Sequence, residues 1–186
     1  MNPCIDSLPV LKPGLKNQVL FFKDEIILLG IPLPPSANEQ LMTARPNGKR
    51  FTRMIKTLKA RAFDDDLRLW MLKNKSEIFE IREKAKAMIS DDSKTFLRVD
   101  CYFAFQNDRL FSKTKKAKDF VKRLDANNRL KSSLDALSHI LNIDDRYFWT
   151  GLCEKVSCES AHDEQVIIKV SAWTAKTISQ VTIPDC

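Results

Sequence analysis

Residues Arg123–Phe148, RLDANNRLKSSLDALSHILNIDDRYF, decide how the rest of the chain is read. Their spacing predicts one amphipathic helix of about four turns, Asn127 to Leu141, with Leu130, Leu134, Leu137 and Leu141 as the buried stripe. Asp125 stands before this helix, Asp144 and Asp145 follow it, and Lys131 and Asp135 lie along it. Each has an ordinary reading: a carboxylate near a helix start caps free N–H groups, a Lys–Asp pair four apart is a common surface contact, and Asp-Asp suits a turn. Together they suggest a carboxylate pocket beside a basic surface, which a hard divalent cation and a phosphodiester jointly require. A helix of ~15 residues is ~22 Å long, so Asp125 and Asp145 meet only in two arrangements. Either the following strand runs back beside the incoming segment, or a second subunit supplies one end.

Directly upstream, SKTKKAKDFVKR carries Lys113, Lys115, Lys116, Lys118, Lys122 and Arg123, which accounts for much of the net charge of +7. A charge run is usually a solvated segment, but one placed just before an acidic helix entry suits binding of a polyanion. A second basic group, Arg45, Lys49 and Arg50, falls in a polar loop containing Pro46, Asn47 and Gly48. Both are candidate phosphate contacts.

Further out, Glu25–Leu33, EIILLGIPL, reads as a strand that stops at Pro34-Pro35-Ser36-Ala37-Asn38, where two prolines remove ladder donors. From Thr52, a plausible N-cap, to Ile89 the pattern is helical, as two helices or one broken helix. Phe96–Phe105, FLRVDCYFAF, alternates as a half-buried strand with Arg98, Asp100 and Tyr102 facing outward. Tyr147–Val156 and Gln165–Trp173 read as two more strands. The expected class is α+β: a mixed, mostly antiparallel sheet covered by helices. Residues 1–24 read as an N-terminal extension whose VLFF segment is able to dock, 25–173 as one domain, and 174–186 as a tail.

Composition sets limits. The 186 residues are 44% hydrophobic and 30% charged, ordinary for one globular domain with a real core. No apolar run reaches the 18 or more residues of a membrane span, and the N-terminus does not read as a signal peptide, so a cytoplasmic location is expected. The five cysteines are scattered, and only Cys153 and Cys158 are close, without the further ligands of a zinc site. His139 and His162 are isolated, with no nucleophile or metal-ligand pattern around them.

The series Asp125-x-Asn127-Asn128-x-x-Lys131, Asp135-Ala136-Leu137 and Ile143-Asp144-Asp145, preceded by Lys122-Arg123, resembles the Holliday-junction resolvases of the RusA type. Pro34-Pro35-Ser36-Ala37-Asn38 matches that family's Pro-Pro-Ser-x-Asn turn, and the resemblance spans roughly Glu25 to Trp173. It implies a homodimeric, Mg²⁺-dependent endonuclease, with Mn²⁺ as an alternative ion, that nicks four-way DNA junctions in recombination and repair. It needs no nucleotide cofactor and no membrane. The family's metal ligands map onto Asp125, Asn127 and Asp145, with Asp144 adjacent, and its helix lysine onto Lys131; Asp125, Lys131 and Asp145 are the expected catalytic residues. One position departs: Asn127 stands where the type member has a second Asp, offering a carbonyl oxygen but no charge. A binding protein with weak or lost cleavage is therefore the alternative.

Overall fold

The computed structural model describes residues 18–44, 53–111 and 126–176. The chain forms β1 (Gln18–Phe22), β2 (Glu25–Ile31), β3 (Leu41–Ala44), β4 (Arg53–Lys56), α1 (Leu58–Lys73) and α2 (Lys75–Ala87). It continues through β5 (Thr95–Gln106), the four-residue α3 (Asn107–Leu110), α4 (Asn127–Leu141), β6 (Phe148–Thr150), β7 (Cys153–Cys158) and β8 (Gln165–Thr174). Among the described residues no helix is long and apolar enough to cross a membrane.

Six strands make one sheet in the order β1-β2-β8-β5, with β6 and β7 sharing the outer edge of β5. The pairs β1–β2, β2–β8 and β8–β5 are antiparallel, whereas β5–β6 and β5–β7 are parallel. The class is thus α+β with a mixed, mostly antiparallel sheet, as expected. β1 lies within the stretch read as an extension, and its Val19-Leu20-Phe21-Phe22 segment extends the sheet at the β2 edge. β3 and β4 form a separate hairpin.

One face of the sheet carries the main core. Ile26 and Leu28 of β2, Leu97, Phe103 and Phe105 of β5, and Val166, Ile168 and Val170 of β8 pack against the helices. The helices answer with Phe63, Leu67 and Trp70 of α1, Ile78 and Ile81 of α2, and Leu137, Ile140 and Leu141 of α4. Full burial of such side chains is worth about 1.5–3 kcal/mol each, so this face supplies most of the driving force. Trp70 Nε1 donates to the Leu29 carbonyl at 2.9 Å, giving its polar edge a buried partner. α1 and α2 break at buried Asn74, whose amide donates to Trp70 O at 2.8 Å.

Four expectations are corrected. The helix after the loop begins at Leu58, not after Thr52, because Thr57 Oγ1 accepts from Ala60 N and the preceding Arg53–Lys56 pairs with Leu41–Ala44. Asp100 is buried, not outward-facing: its carboxylate accepts from Arg98 Nε at 3.0 and 3.1 Å and from Leu152 N at 2.9 Å. The same contact splits the expected Tyr147–Val156 strand. Cys101 N donates to Leu152 O at 2.8 Å, and this close approach leaves Gly151 no room for a side chain, since a Cβ there would lie 1.8 Å from Val99 O. Finally, the buried side of α4 is rotated from the leucine stripe. Leu130 and Leu134 are only half-buried, while Arg129, Ser132, Ser133, Ala136 and Ile140 are buried.

Candidate active site at the opening of helix α4

β2 ends at Ile31, and the chain enters its two prolines, Pro34 and Pro35, both buried. Gly30, at φ 75°, lies in the irregularity that shifts the β2–β8 register between Leu28 and Ile31, and its N–H donates to Gln165 Oε1 at 2.6 Å. The 3-10 turn Ala37–Glu39 then closes on itself: Ser36 N and Oγ donate to Glu39 Oε2 at 3.3 and 3.0 Å, and Glu39 N donates to Ser36 O at 2.8 Å. Lys59 at the start of α1 adds an ion pair to Glu39 at 2.5 Å. These donors, Lys59 first and Ser36 next, pull the Glu39 carboxyl down to about 2.

This turn docks on the first two turns of α4. Arg129 donates to the Pro34 carbonyl, and Gln40 Nε2 donates to Ser132 Oγ. The structure therefore joins the two motifs that sequence reading identified separately. Ala126 caps the start of α4, and its carbonyl accepts from Arg129 N at 2.9 Å and Leu130 N at 3.1 Å. Asn127 is exposed at this opening and Asn128 is half-buried. Lys131 is exposed, about 200° around the helix from buried Arg129, so it faces away from the core. Asp135 is also exposed, and the ordinary alternative for Lys131, an ion pair with Asp135, is not formed among the described residues.

Between the docked turn, α1 and the opening of α4 lies an open cleft of about 690 Å³, lined among others by Ser36, Lys59, Arg109, Asn128, Arg129 and Glu164. Glu164 is tied down at its rim, accepting from Gln106 N at 2.9 Å and Arg109 at 2.5 Å. Arg129 is 6% exposed, and its Nε lacks a hydrogen-bond partner among the described residues. Burial, and after it the neighbouring Arg109, push the Arg129 guanidinium below the ordinary arginine value.

The other acids lie at the far end of the helix. Asn142, at φ 54°, ends α4 in the left-handed conformation, and Ser138 Oγ donates to Ile143 O at 2.6 Å. Asp144 and Asp145 follow, both exposed, with the Asp144 carboxylate accepting from Arg146 N at 3.0 Å. The pairing of Phe148 with Leu97 puts this turn at the start of β5, whereas Arg129, 5.6 Å from the Phe105 ring centre, puts the opening of α4 at the end of β5. The return strand β7 does run back along β5, to Cys158 beside Gln106, but it delivers Glu164 to the helix opening and leaves Asp145 behind. Among the described residues, Asn127 at the opening of α4 and Asp145 beyond its end do not come together within one chain. Among the described residues no three His, Cys, Asp or Glu gather as a metal site would require.

Asp125 and the basic residues Lys113, Lys115, Lys116, Lys118, Lys122, Arg123, Arg45, Lys49 and Arg50 lie outside the described residues. The last three fall in sequence between the paired stems of the β3–β4 hairpin, which ends at Ala44 opposite Arg53. Sequence reading missed Arg129, Arg109, Glu39 and Glu164. Arg129 had a signal: stepping back from Ile140 and Ala136 by threes and fours leads through Ser133 and Ser132 to Arg129.

No curated protein matches the chain. Residues 32–171, about three quarters of it, match the family described as endodeoxyribonuclease RusA. That match contains the docked turn, the whole of α4 and the Asp144-Asp145 turn. The chain belongs to the RusA endodeoxyribonuclease family, whose nuclease activity resolves Holliday junctions.

Proposed function

We propose that this chain is a divalent-metal-dependent endonuclease that nicks four-way DNA junctions as a homodimer. The observation that carries the reading is the docking of the Pro34-Pro35-Ser36 turn on α4, which assembles the family's two motifs at one surface. Nucleases of this family are generally divalent-metal dependent. The described residues of one chain do not form a metal site by themselves. The donor chemistry nonetheless suits a hard cation such as Mg²⁺ or Mn²⁺: carboxylates of Asp125, Asp145 and Asp144 with the Asn127 carbonyl oxygen, all oxygen donors. A bound ion of this kind would activate water and offset negative charge at the phosphate.

Because α4 holds its two ends about 22 Å apart, the reading assigns Asp125 and Asn127 of one subunit to a shared site with Asp145 of a second. Two such sites related by a two-fold axis match the symmetry of a four-way junction. The contact available for pairing is aromatic. Phe148 is half-buried but Trp149 is 53% exposed, stacked on Phe96 at 4.1 Å and beside Trp173 at 6.4 Å. Lys131 would meet a backbone phosphate, and Lys113 to Arg123 together with Arg45, Lys49 and Arg50 would add sequence-independent, salt-sensitive contacts.

The test is a cleavage assay on four-way junction, fork and linear duplex, with and without Mg²⁺ or Mn²⁺, run beside light scattering. Paired nicks confined to branched DNA, present only with metal and made by a species of twice the 21.4 kDa chain mass, are expected. Junction binding without cleavage under every metal would favour the alternative, for which the uncharged Asn127 is the reason.

A further inference from the structure

We propose that Arg129 and Arg109 form a seat for one backbone phosphate of the nucleic acid, in the cleft between the docked turn, α1 and the opening of α4. This rests on the functional reading for the identity of the ligand, but the seat itself is built from described residues. Arg129 is nine-tenths buried, yet among the described residues it donates only to a neutral acceptor, the Pro34 carbonyl, and its Nε has no partner. A buried guanidinium in that state is costly, and structural arginines normally meet a carboxylate or several carbonyls.

Its neighbours raise the cost. Arg109 Cζ lies 5.5 Å and Arg129 Cζ 5.6 Å from the centre of the same Phe105 ring, so two like charges crowd one aromatic side chain. Burial first, and then this repulsion, lowers the affinity of Arg129 for its own proton. Among the described residues, the acids that act on Arg129 are already engaged, Glu39 by Lys59 and Ser36, and Glu164 by Arg109 and Gln106 N; exposed Asp66 is the other acid lining the cleft. A phosphodiester in the cleft brings one negative charge and non-bridging oxygens, and would offset the repulsion between the two guanidinium groups.

Arg129→Gln keeps a donor for Pro34 but removes the charge, and Arg129→Lys keeps the charge without the fork. Junction binding is measured in EDTA across a salt series. The expected result for Arg129→Gln is about tenfold or more weaker binding, with the slope of log affinity against log salt shallower by about 0.9; Arg129→Lys retains the slope. An unchanged slope overturns the proposal. Inorganic phosphate is titrated against thermal unfolding in parallel, with chloride at equal ionic strength as control. Phosphate should raise Tm in the native chain and not in Arg129→Gln, and equal shifts in the two overturn the seat. If Arg129→Gln does not fold, Arg109→Gln, whose native side chain is 41% exposed, carries both predictions. Phosphate binding through Arg129 without junction binding would refute the functional reading and leave the seat standing.

Discussion

Asn127 opens α4 and Asp145 stands just beyond its end, so the two lie at opposite ends of β5 with about 22 Å of helix axis between them. On the proposed reading, a site containing both draws on two chains. Co-expressed Asp125→Asn and Asp145→Asn subunits should therefore recover nicking that each variant lacks alone, since every mixed dimer keeps one intact site. Gel analysis of junction cleavage reads this directly. No recovery in mixed dimers would show that each chain builds its own site.

Asn127→Asp should shift the metal dependence of cleavage to lower ion concentration, because a carboxylate adds charge where the native amide offers only a carbonyl oxygen. The measurement is nicking rate against Mg²⁺ concentration. Loss of activity at every concentration would mean that the amide itself is needed.

Glu39 links acid stability to the docked turn. Its folded carboxyl sits at about 2, below the ordinary value of 4.5, so its contribution is fully present above 4.5 and is lost as pH falls towards 2. The side chain is 38% exposed, so the contribution is small and salt-screened. Glu39→Gln should flatten the decline of Tm between pH 4.5 and 2 and leave its pH dependence near neutrality unchanged. A parallel loss at all pH values would point to packing instead of charge.

Gly151→Ala should destabilise the fold by more than about 2 kcal/mol in chemical denaturation. Its Cβ would lie 1.8 Å from the Val99 carbonyl oxygen, where only backbone can yield. A neutral result would mean that β6 and β7 part from β5 at little cost.

What was legible in the sequence follows the range of the interactions. α4 occupies Asn127–Leu141 as its periodicity predicts, and β5 and β8 lie where alternation puts them, because these patterns are written in neighbouring residues. Arg53–Lys56 reads as helix by local pattern and becomes strand because Leu41–Ala44 pairs with it. Asp100 and Arg129 are polar side chains that fold inward because partners about 50 and 95 positions away, Leu152 N and Pro34 O, accept or donate there. No local rule contains such contacts. The link between the Pro-Pro-Ser turn and α4 was invisible for the same reason, although both motifs were recognised.

α4 is clamped at both ends by arginine. Arg129 holds the first turn to Pro34, and Arg82 of α2 donates to the Ile140 carbonyl at 2.9 Å and to that of His139 at 3.4 Å in the last turn. A helix fixed in this way acts as a ruler. Inserting or deleting one residue within it would move the Asp144-Asp145 turn by about 1.5 Å and swing it about 100° around the axis. Such a change would leave every side chain of the site in the sequence while carrying its two halves out of register.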